Sequence, residues 1–285
     1  MPNCVACNGN LDFFGPRLTY EYHICRSCGS IQLFPMPTGA ELDEAYRNEY
    51  ASANQAEEFC DPERWKDVAR PYHESIMNVL RDYAVTGPVV DFGAGWGYLC
   101  QMLNANGFEC YGCEPSEVMT ARCRQAGIPV EWGSLEVVES KGRTPSAIVM
   151  CAVFEHLTEH RNWLQRANAV LEKGGYLISL HPTAACYHLL AQVLRLNVRR
   201  KELPELHGTF SPPWHTALFS LKAMEVLAKK NGYEMAEIRR APQGRIGGAL
   251  GALQMFLAAV NRVGWFCVGK QWPLVTSHIF VLRKL

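Results

Sequence analysis

The stretch Val89-Val90-Asp91-Phe92-Gly93-Ala94-Gly95-Trp96-Gly97 decides how this chain is read. Two β-branched residues mark an apolar strand, and alternate glycines follow where the chain turns into a helix predicted over Tyr98–Asn104. Backbone without side chains lets a ligand lie close to the turn, at the carboxyl edge of a sheet. A second acid, Glu114, ends the next predicted strand, where a carboxylate can accept both hydroxyls of a ribose. A dinucleotide fingerprint reads GxGxxG, with its third glycine one residue later than here. The DxGxGxG spacing therefore points to a nucleoside-bearing cofactor other than NAD.

Outward from this turn, strands and helices alternate. Strands are expected at Val89–Phe92, Glu109–Glu114, Val130–Trp132, Ala147–Cys151 and Tyr176–His181, with helical stretches between them. Alternation of this kind makes a parallel doubly wound sheet, hence an α/β, Rossmann-like fold. Gly174-Gly175 punctuates the approach to the fifth strand. Later strands at Tyr233–Arg240 and Ile279–Arg283 bring the sheet to seven. Helices are expected at Ala40–Tyr50 and Trp65–Tyr83, upstream of the first strand.

The N-terminus carries a different signal. Cys4, Cys7, Cys25 and Cys28 form two CxxC knuckles, each able to turn two thiolates toward one ion. Together they supply the tetrahedral sulfur set of a closed, structural zinc site, with no position left for substrate. Gly9 and Gly29 suit the tight turns of a zinc ribbon, and Leu18–Ile24 reads as its strand. The remaining cysteines, among them Cys100, Cys113, Cys123 and Cys151, fall in apolar segments and are read as reduced thiols.

Bulk properties exclude several classes. The chain has 285 residues, 48% of them apolar, enough to bury a large core without staples. Lysine plus arginine and aspartate plus glutamate number 28 each, so no global field favours nucleic acid or an anionic membrane. The longest apolar stretch, Ile246–Val260, is too short to span a bilayer, and Met1-Pro2-Asn3 opens no signal segment. The expectation is a soluble, cytoplasmic protein; the sequence leaves its oligomeric state open.

VVDFGAGWG resembles motif I of class I S-adenosylmethionine-dependent methyltransferases. The resemblance implies that Asp91 meets the amino group of the methionine moiety, which lies against Gly93, Ala94, Gly95, Gly97 and Tyr98. It places Glu114 and Pro115 at the ribose, Ser134 and Leu135 beside adenine, and Cys151 and Ala152 at the end of the fourth strand. Val153-Phe154-Glu155-His156-Leu157 is similar to the family's EHL signature, and LEKGGYLISLHP to its strand-five motif. Ubiquinone-type O-methyltransferases place a further acid three residues before the Glu-His pair to help hold a metal. That position is Ala152 here, so Glu155 and His156 are expected to cap and orient the following helix. The ribbon and its Pro-Thr linker resemble the subgroup that contains sugar C-methyltransferases, in which HLSYFS supplies a catalytic histidine. This chain reads His215-Thr216-Ala217-Leu218-Phe219-Ser220, while Ser211 to Trp214 lack that subgroup's tyrosine and glutamate.

These readings divide the chain into a zinc ribbon (1–38), an N-terminal helical segment (39–86) and a methyltransferase domain (87–285) with helical lid insertions at 182–213 and 244–273. The expected function is transfer of a methyl or related alkyl group to a small-molecule, peptide-like or carrier-bound acceptor in a biosynthetic pathway. His215 and His181 are the candidate bases, because imidazole titrates near neutrality. Arg195, Arg199 and Arg200 are candidates for binding a carboxylate, either on the acceptor or on a carboxylated derivative of the sulfonium donor. Two alternatives are kept: a ribosomal RNA methyltransferase, and a non-catalytic cofactor-binding module that docks a partner through its ribbon.

Overall fold

Val89 and Val90 are wholly buried at the centre of a seven-stranded sheet. In the computed structural model, residues 3–42, 44–45, 62–197, 202–203, 209–242 and 248–285 are described. The N-terminal part holds β1 (Leu11–Arg17), β2 (Tyr20–Cys25) and β3 (Ile31–Leu33). Then come α1 (Pro62–Asp82), β4 (Val89–Phe92), α2 (Tyr98–Ala105), β5 (Cys110–Glu114), α3 (Glu117–Gln125), β6 (Val130–Trp132), α4 (Leu135–Ser140) and β7 (Ala147–Cys151). The chain continues through a 3-10 turn (Phe154–His156), α5 (His160–Val170), β8 (Tyr176–Pro182), α6 (Ala184–Asn197), β9 (Ala217–Leu218), α7 (Leu221–Lys230), β10 (Tyr233–Arg240), α8 (Gly248–Val268) and β11 (Ser277–Lys284).

The large sheet has the order β6-β5-β4-β7-β8-β11-β10. Strands β4 to β8 run parallel, and β11 runs antiparallel to both β8 and β10. Strand order reverses on either side of β4, which opens a crevice beyond the carboxyl ends of β4 and β7, the place where such sheets take ligands. Every residue of β4 and of β5 is buried, as a strand covered on both faces requires. The doubly wound α/β architecture and all seven predicted strands are thus present.

The ribbon sheet departs from expectation. Its order is β1-β2-β3-β9, so the fourth strand comes from far downstream, with Ile31 opposite Leu218 and Gln32 opposite Ala217. Leu18 sits in the turn with φ 54°, and the ribbon's second strand starts at Tyr20. Phe14, Tyr22, Ile31 and Leu33 pack with Ala184 and Tyr187 of α6 and with Phe210. Lys222 donates to the Ser27 carbonyl (2.8 Å) and Arg161 to that of Ala6 (3.1 Å), tying the knuckles to α7 and α5.

Of the predicted helix at 40–50, residues 40–42, 44 and 45 are helical, and 43 and 46–50 lie outside the described residues. The segments 182–213 and 244–273, expected as insertions, contain α6 and α8, and parts of both lie outside the described residues. Among the described residues, no helix is long and apolar enough to cross a membrane.

Candidate functional site at the carboxyl edge of the sheet

Glu114 stands at the end of β5 with both carboxylate oxygens engaged by backbone. The Gly95 amide donates to Oε2 (2.9 Å) and the Ser116 amide to Oε1 (2.8 Å). Burial raises its pKa and the two amides oppose that rise. Each carboxylate oxygen has a second lone pair, so the clamp orients Glu114 and leaves acceptor capacity for ribose hydroxyls. Gly95 has φ 54°, and a Cβ built there would meet only Met119 Sδ, at 3.9 Å. A side chain at this position would stand in the cradle that a ligand needs. Gly93 serves a different purpose: at φ 71°, its Cβ would strike Val153 Cγ2 at 2.6 Å, so the turn is packed against the loop after β7. This arrangement fits a nucleoside cofactor: an oriented carboxylate and bare backbone share one edge.

Asp91 is buried, with Oδ2 lacking a hydrogen-bond partner. Burial pushes its pKa up to about 7, and a hydrogen bond from the Cys100 amide near the start of α2 counters part of that. Gly97 opens α2 in the left-handed region, and Ala94 packs under the same turn against β5. The Tyr98 hydroxyl donates to Glu63 of α1 (3.2 Å), with Arg122 at 3.3 Å, which closes one flank of the turn. Pro115 accepts from Trp132 Nε1 (2.9 Å). The Ser134 amide donates to the Glu136 carboxylate (2.8 Å), and Leu135 is buried beneath it. Cys151 closes β7, and Ala152 follows at φ 56°, a left-handed conformation unusual for a residue with a Cβ. Strain of this sort concentrates at functional edges.

Trp132 was not singled out from sequence. It is 58% exposed and pairs in register with Glu114, which puts an aromatic face beside the ribose-binding candidate. Its signal in the sequence is an aromatic at the last position of the third strand.

Beyond the carboxyl end of β7, three side chains converge. Glu155 and His156 follow β7, and His215 precedes β9; one ligand atom from each lies within 4.8 Å of the others. Thr216 donates through its amide to the Glu155 carbonyl (2.9 Å), which joins the two segments. His215 Nδ1 lies 2.9 Å from the Thr209 carbonyl. A carbonyl only accepts, so Nδ1 carries the hydrogen and Nε2 keeps its lone pair. Burial lowers the His215 pKa to about 4 and that of His156 well below its ordinary value, and raises Glu155 to about 8. Sequence reading gave Glu155 and His156 a helix-capping role and did not foresee their meeting with His215.

His181 is placed otherwise than a base requires. Its ring is wholly buried, stacked on Phe280 at 4.9 Å and packed on Phe154 at 5.3 Å, with Nδ1 bound to Ser179 Oγ (2.9 Å). Burial holds it neutral, near pKa 3. The strand end does reach the functional edge, but the side chain turns into the core. Arg195 lies on α6 with its side chain outside the described part, and Arg199 and Arg200 lie outside the described residues.

At the N-terminus the four cysteine sulfurs converge, with Cys4 and Cys28 at 3.6 Å and Cys7 and Cys25 at 3.4 Å. A tetrahedron with Zn–S near 2.3 Å has edges of about 3.8 Å, so small shifts would seat an ion. The Gly9 amide donates to Cys7 Sγ (3.3 Å), the kind of bond that steadies a thiolate ligand. The described cysteines are all free thiols.

A family model described as a methyltransferase domain matches residues 64–238. No curated protein sequence matches the chain. Among solved structures, a Burkholderia thailandensis 1,6-didemethyltoxoflavin-N1-methyltransferase is similar at TM-score 0.54 and 12% identity, covering 96% of this chain and 99% of its own. A Thermotoga maritima S-adenosylmethionine-dependent methyltransferase, a possible histamine N-methyltransferase, is similar at 0.51 and 18%, covering 84% and 98%. The magnesium protoporphyrin IX methyltransferase of Synechocystis, solved with S-adenosylhomocysteine, is similar at 0.50 and 14%, covering 87% and 95%. The family match spans more than half of the chain, its residues include both the glycine turn and the Glu155–His156–His215 cluster, and the chain belongs to the methyltransferase-domain family, with the fold of the class I S-adenosylmethionine-dependent methyltransferases.

Proposed function

We propose that the protein transfers a methyl, or a related alkyl group, from S-adenosylmethionine or a carboxylated derivative to a small-molecule or peptide-like acceptor in a biosynthetic reaction. The observation that carries this reading is the Glu114 carboxylate clamped by Gly95 and Ser116 beside the open face of Gly95. In this proposal Glu114 takes the ribose hydroxyls, the turn from Asp91 to Gly97 supports the methionine moiety, and Pro115, Ser134 and Leu135 border the base. Cys151 and Ala152 form the floor between cofactor and acceptor.

When bound, S-adenosylmethionine supplies an electrophilic methyl carbon. The chain's own tasks are in-line placement, exclusion of water and removal of a proton where the acceptor needs it. His215 is the better candidate for that proton, because its Nε2 lone pair is fixed by the Thr209 hydrogen bond and its ring is half-buried at the crevice. The ribbon, 1–38, holds zinc through Cys4, Cys7, Cys25 and Cys28 and acts structurally; 39–86 and 87–285 complete the division proposed for the chain.

The test is single-turnover transfer of labelled methyl at saturating cofactor, across panels of hydroxyl, amine, thiol and carbon acceptors. His215→Ala should retain cofactor affinity and lose about a hundredfold or more in turnover, the usual worth of a general base. Full turnover in His215→Ala at every pH removes it from the mechanism. Cofactor binding with no turnover on any panel would favour the non-catalytic docking role.

A further inference from the structure

We infer that Glu155, His156 and His215 form a second metal site, distinct from the cysteine knuckles, which takes a divalent first-row cation with one carboxylate and two imidazole ligands.

The three donors come from two segments far apart in sequence and still lie within 4.8 Å of one another. His156 Nε2 is 4.0 Å from Glu155 Oε1, and the two imidazole rings stand edge to face, centroids 4.8 Å apart. Glu155 is 1% exposed, and its Oε2 has no hydrogen-bond partner. Among the described residues no lysine or arginine pairs with it, so this buried carboxyl oxygen is left without a polar partner. Leaving it so is costly, and a metal ion satisfies it directly.

The surroundings of the imidazoles agree. Histidine ligands almost always give their other N–H to a carbonyl or carboxylate, which fixes the tautomer and aims the lone pair. His215 does this toward Thr209, and His156 hydrogen-bonds the Trp214 carbonyl. Both bonds come from the loop before β9, and Thr216 locks that loop to the Glu155 carbonyl. The histidines keep partial access to solvent, His156 at 24%, so an ion has a way in. Imidazole and carboxylate suit zinc, iron(II), cobalt, nickel or manganese, and three protein ligands leave positions for an exogenous donor. An ion there takes up the Nε2 lone pair of His215, so His215 serves as the base only in the chain without this ion.

The probe is cobalt(II), titrated by calorimetry and visible absorption into the full chain loaded with a single equivalent of zinc, which the four thiolates take in preference. The expected result is one further cobalt per chain, with d–d bands and no thiolate charge-transfer band. The latter would report exchange at the knuckles instead. His215→Ala and His156→Gln should each weaken this uptake at least a hundredfold, because even outer partners of metal-bound histidines are worth 10–100-fold. Glu155→Gln, which keeps the side-chain shape, should do the same. Folding of each variant is checked by S-adenosylhomocysteine affinity and zinc content. Wild type that takes up no second equivalent overturns the inference, as do folded His215→Ala and His156→Gln chains that bind cobalt as wild type does.

Discussion

Tyr22 of the ribbon donates its phenolic hydrogen to the backbone carbonyl of His215, 3.1 Å away. Leu33 reinforces the link by donating its amide to the Thr216 carbonyl (2.8 Å), so the ribbon and the loop before β9 form one hydrogen-bonded ladder. The N-terminal module is therefore a buttress for the loop that carries His215 and Thr216.

Stripping metal from the knuckles should damage chemistry more than cofactor binding. The glycine turn and Glu114 rest on β4 and β5, whereas His215 leans on β3 and Tyr22. With the thiolate-selective metal removed, S-adenosylhomocysteine affinity is expected to change less than about threefold while single-turnover transfer falls at least tenfold. Calorimetry and rapid quench check this. Equal losses in both would mean that the ribbon supports the whole fold.

Glu114→Ala should weaken S-adenosylhomocysteine binding by ~2 kcal/mol, roughly thirtyfold, through loss of a charge-assisted acceptor. Glu114→Gln should fall between, since one carbonyl oxygen remains for either the Gly95 amide or a ribose hydroxyl. Unchanged affinity in the alanine variant would place the nucleoside elsewhere.

The glycines Gly93 and Gly95 should separate stability from binding. Gly95→Ala meets open space, so its cost to the fold is the left-handed backbone alone, about 1–2 kcal/mol, while its methyl enters the cradle and should abolish measurable cofactor binding. Gly93→Ala drives a methyl into Val153 as well and should lower the melting temperature further. Thermal denaturation alongside titration reads both; a Gly95→Ala chain that binds normally would move the cofactor away from this turn.

Asp91 gives a pH signature. Its folded pKa, about 7, lies above the unfolded value of 3.8 because burial penalises the carboxylate. A raised folded pKa means that its favourable contribution is complete below the unfolded value and is lost as pH climbs from about 4 through 7. Asp91→Asn cannot ionise. The melting temperature of the variant minus that of wild type, both without cofactor, should grow more positive across that window and level off above it. The buried histidines titrate in both chains and cancel in the difference. A gap independent of pH would show that Asp91 is already ionised in the folded protein at pH 4.

Much of this was legible in the chain because its signals are local. Val89 to Gly97 contains a buried strand, a turn that needs φ > 0 and a helix start, and Gly174-Gly175 announces β8; the predicted strands fall within a residue or two of those observed. What was illegible depends on distance. Strand β9 is two residues long, too short for any periodicity, and exists because Ile31 and Gln32 offer an unpaired edge. The meeting of Glu155, His156 and His215 likewise depends on the loop that β9 draws across the sheet. His181 shows the opposite failure: its place at a strand's end was right, and the packing of Phe154 and Phe280 around it decided its direction.

The shared ribbon sheet also has a temporal side. β3 emerges from the ribosome long before β9, and at about 5–20 residues per second the interval between them is on the order of 10–40 s. During that time the four thiols are already free to take up an ion, while the outer edge of β3 stays unpaired. Such an edge invites pairing with other chains. Early metal capture would hold β1 to β3 in register until their last partner arrives, which makes nascent-chain solubility, rather than catalysis, the first place where zinc starvation would be felt.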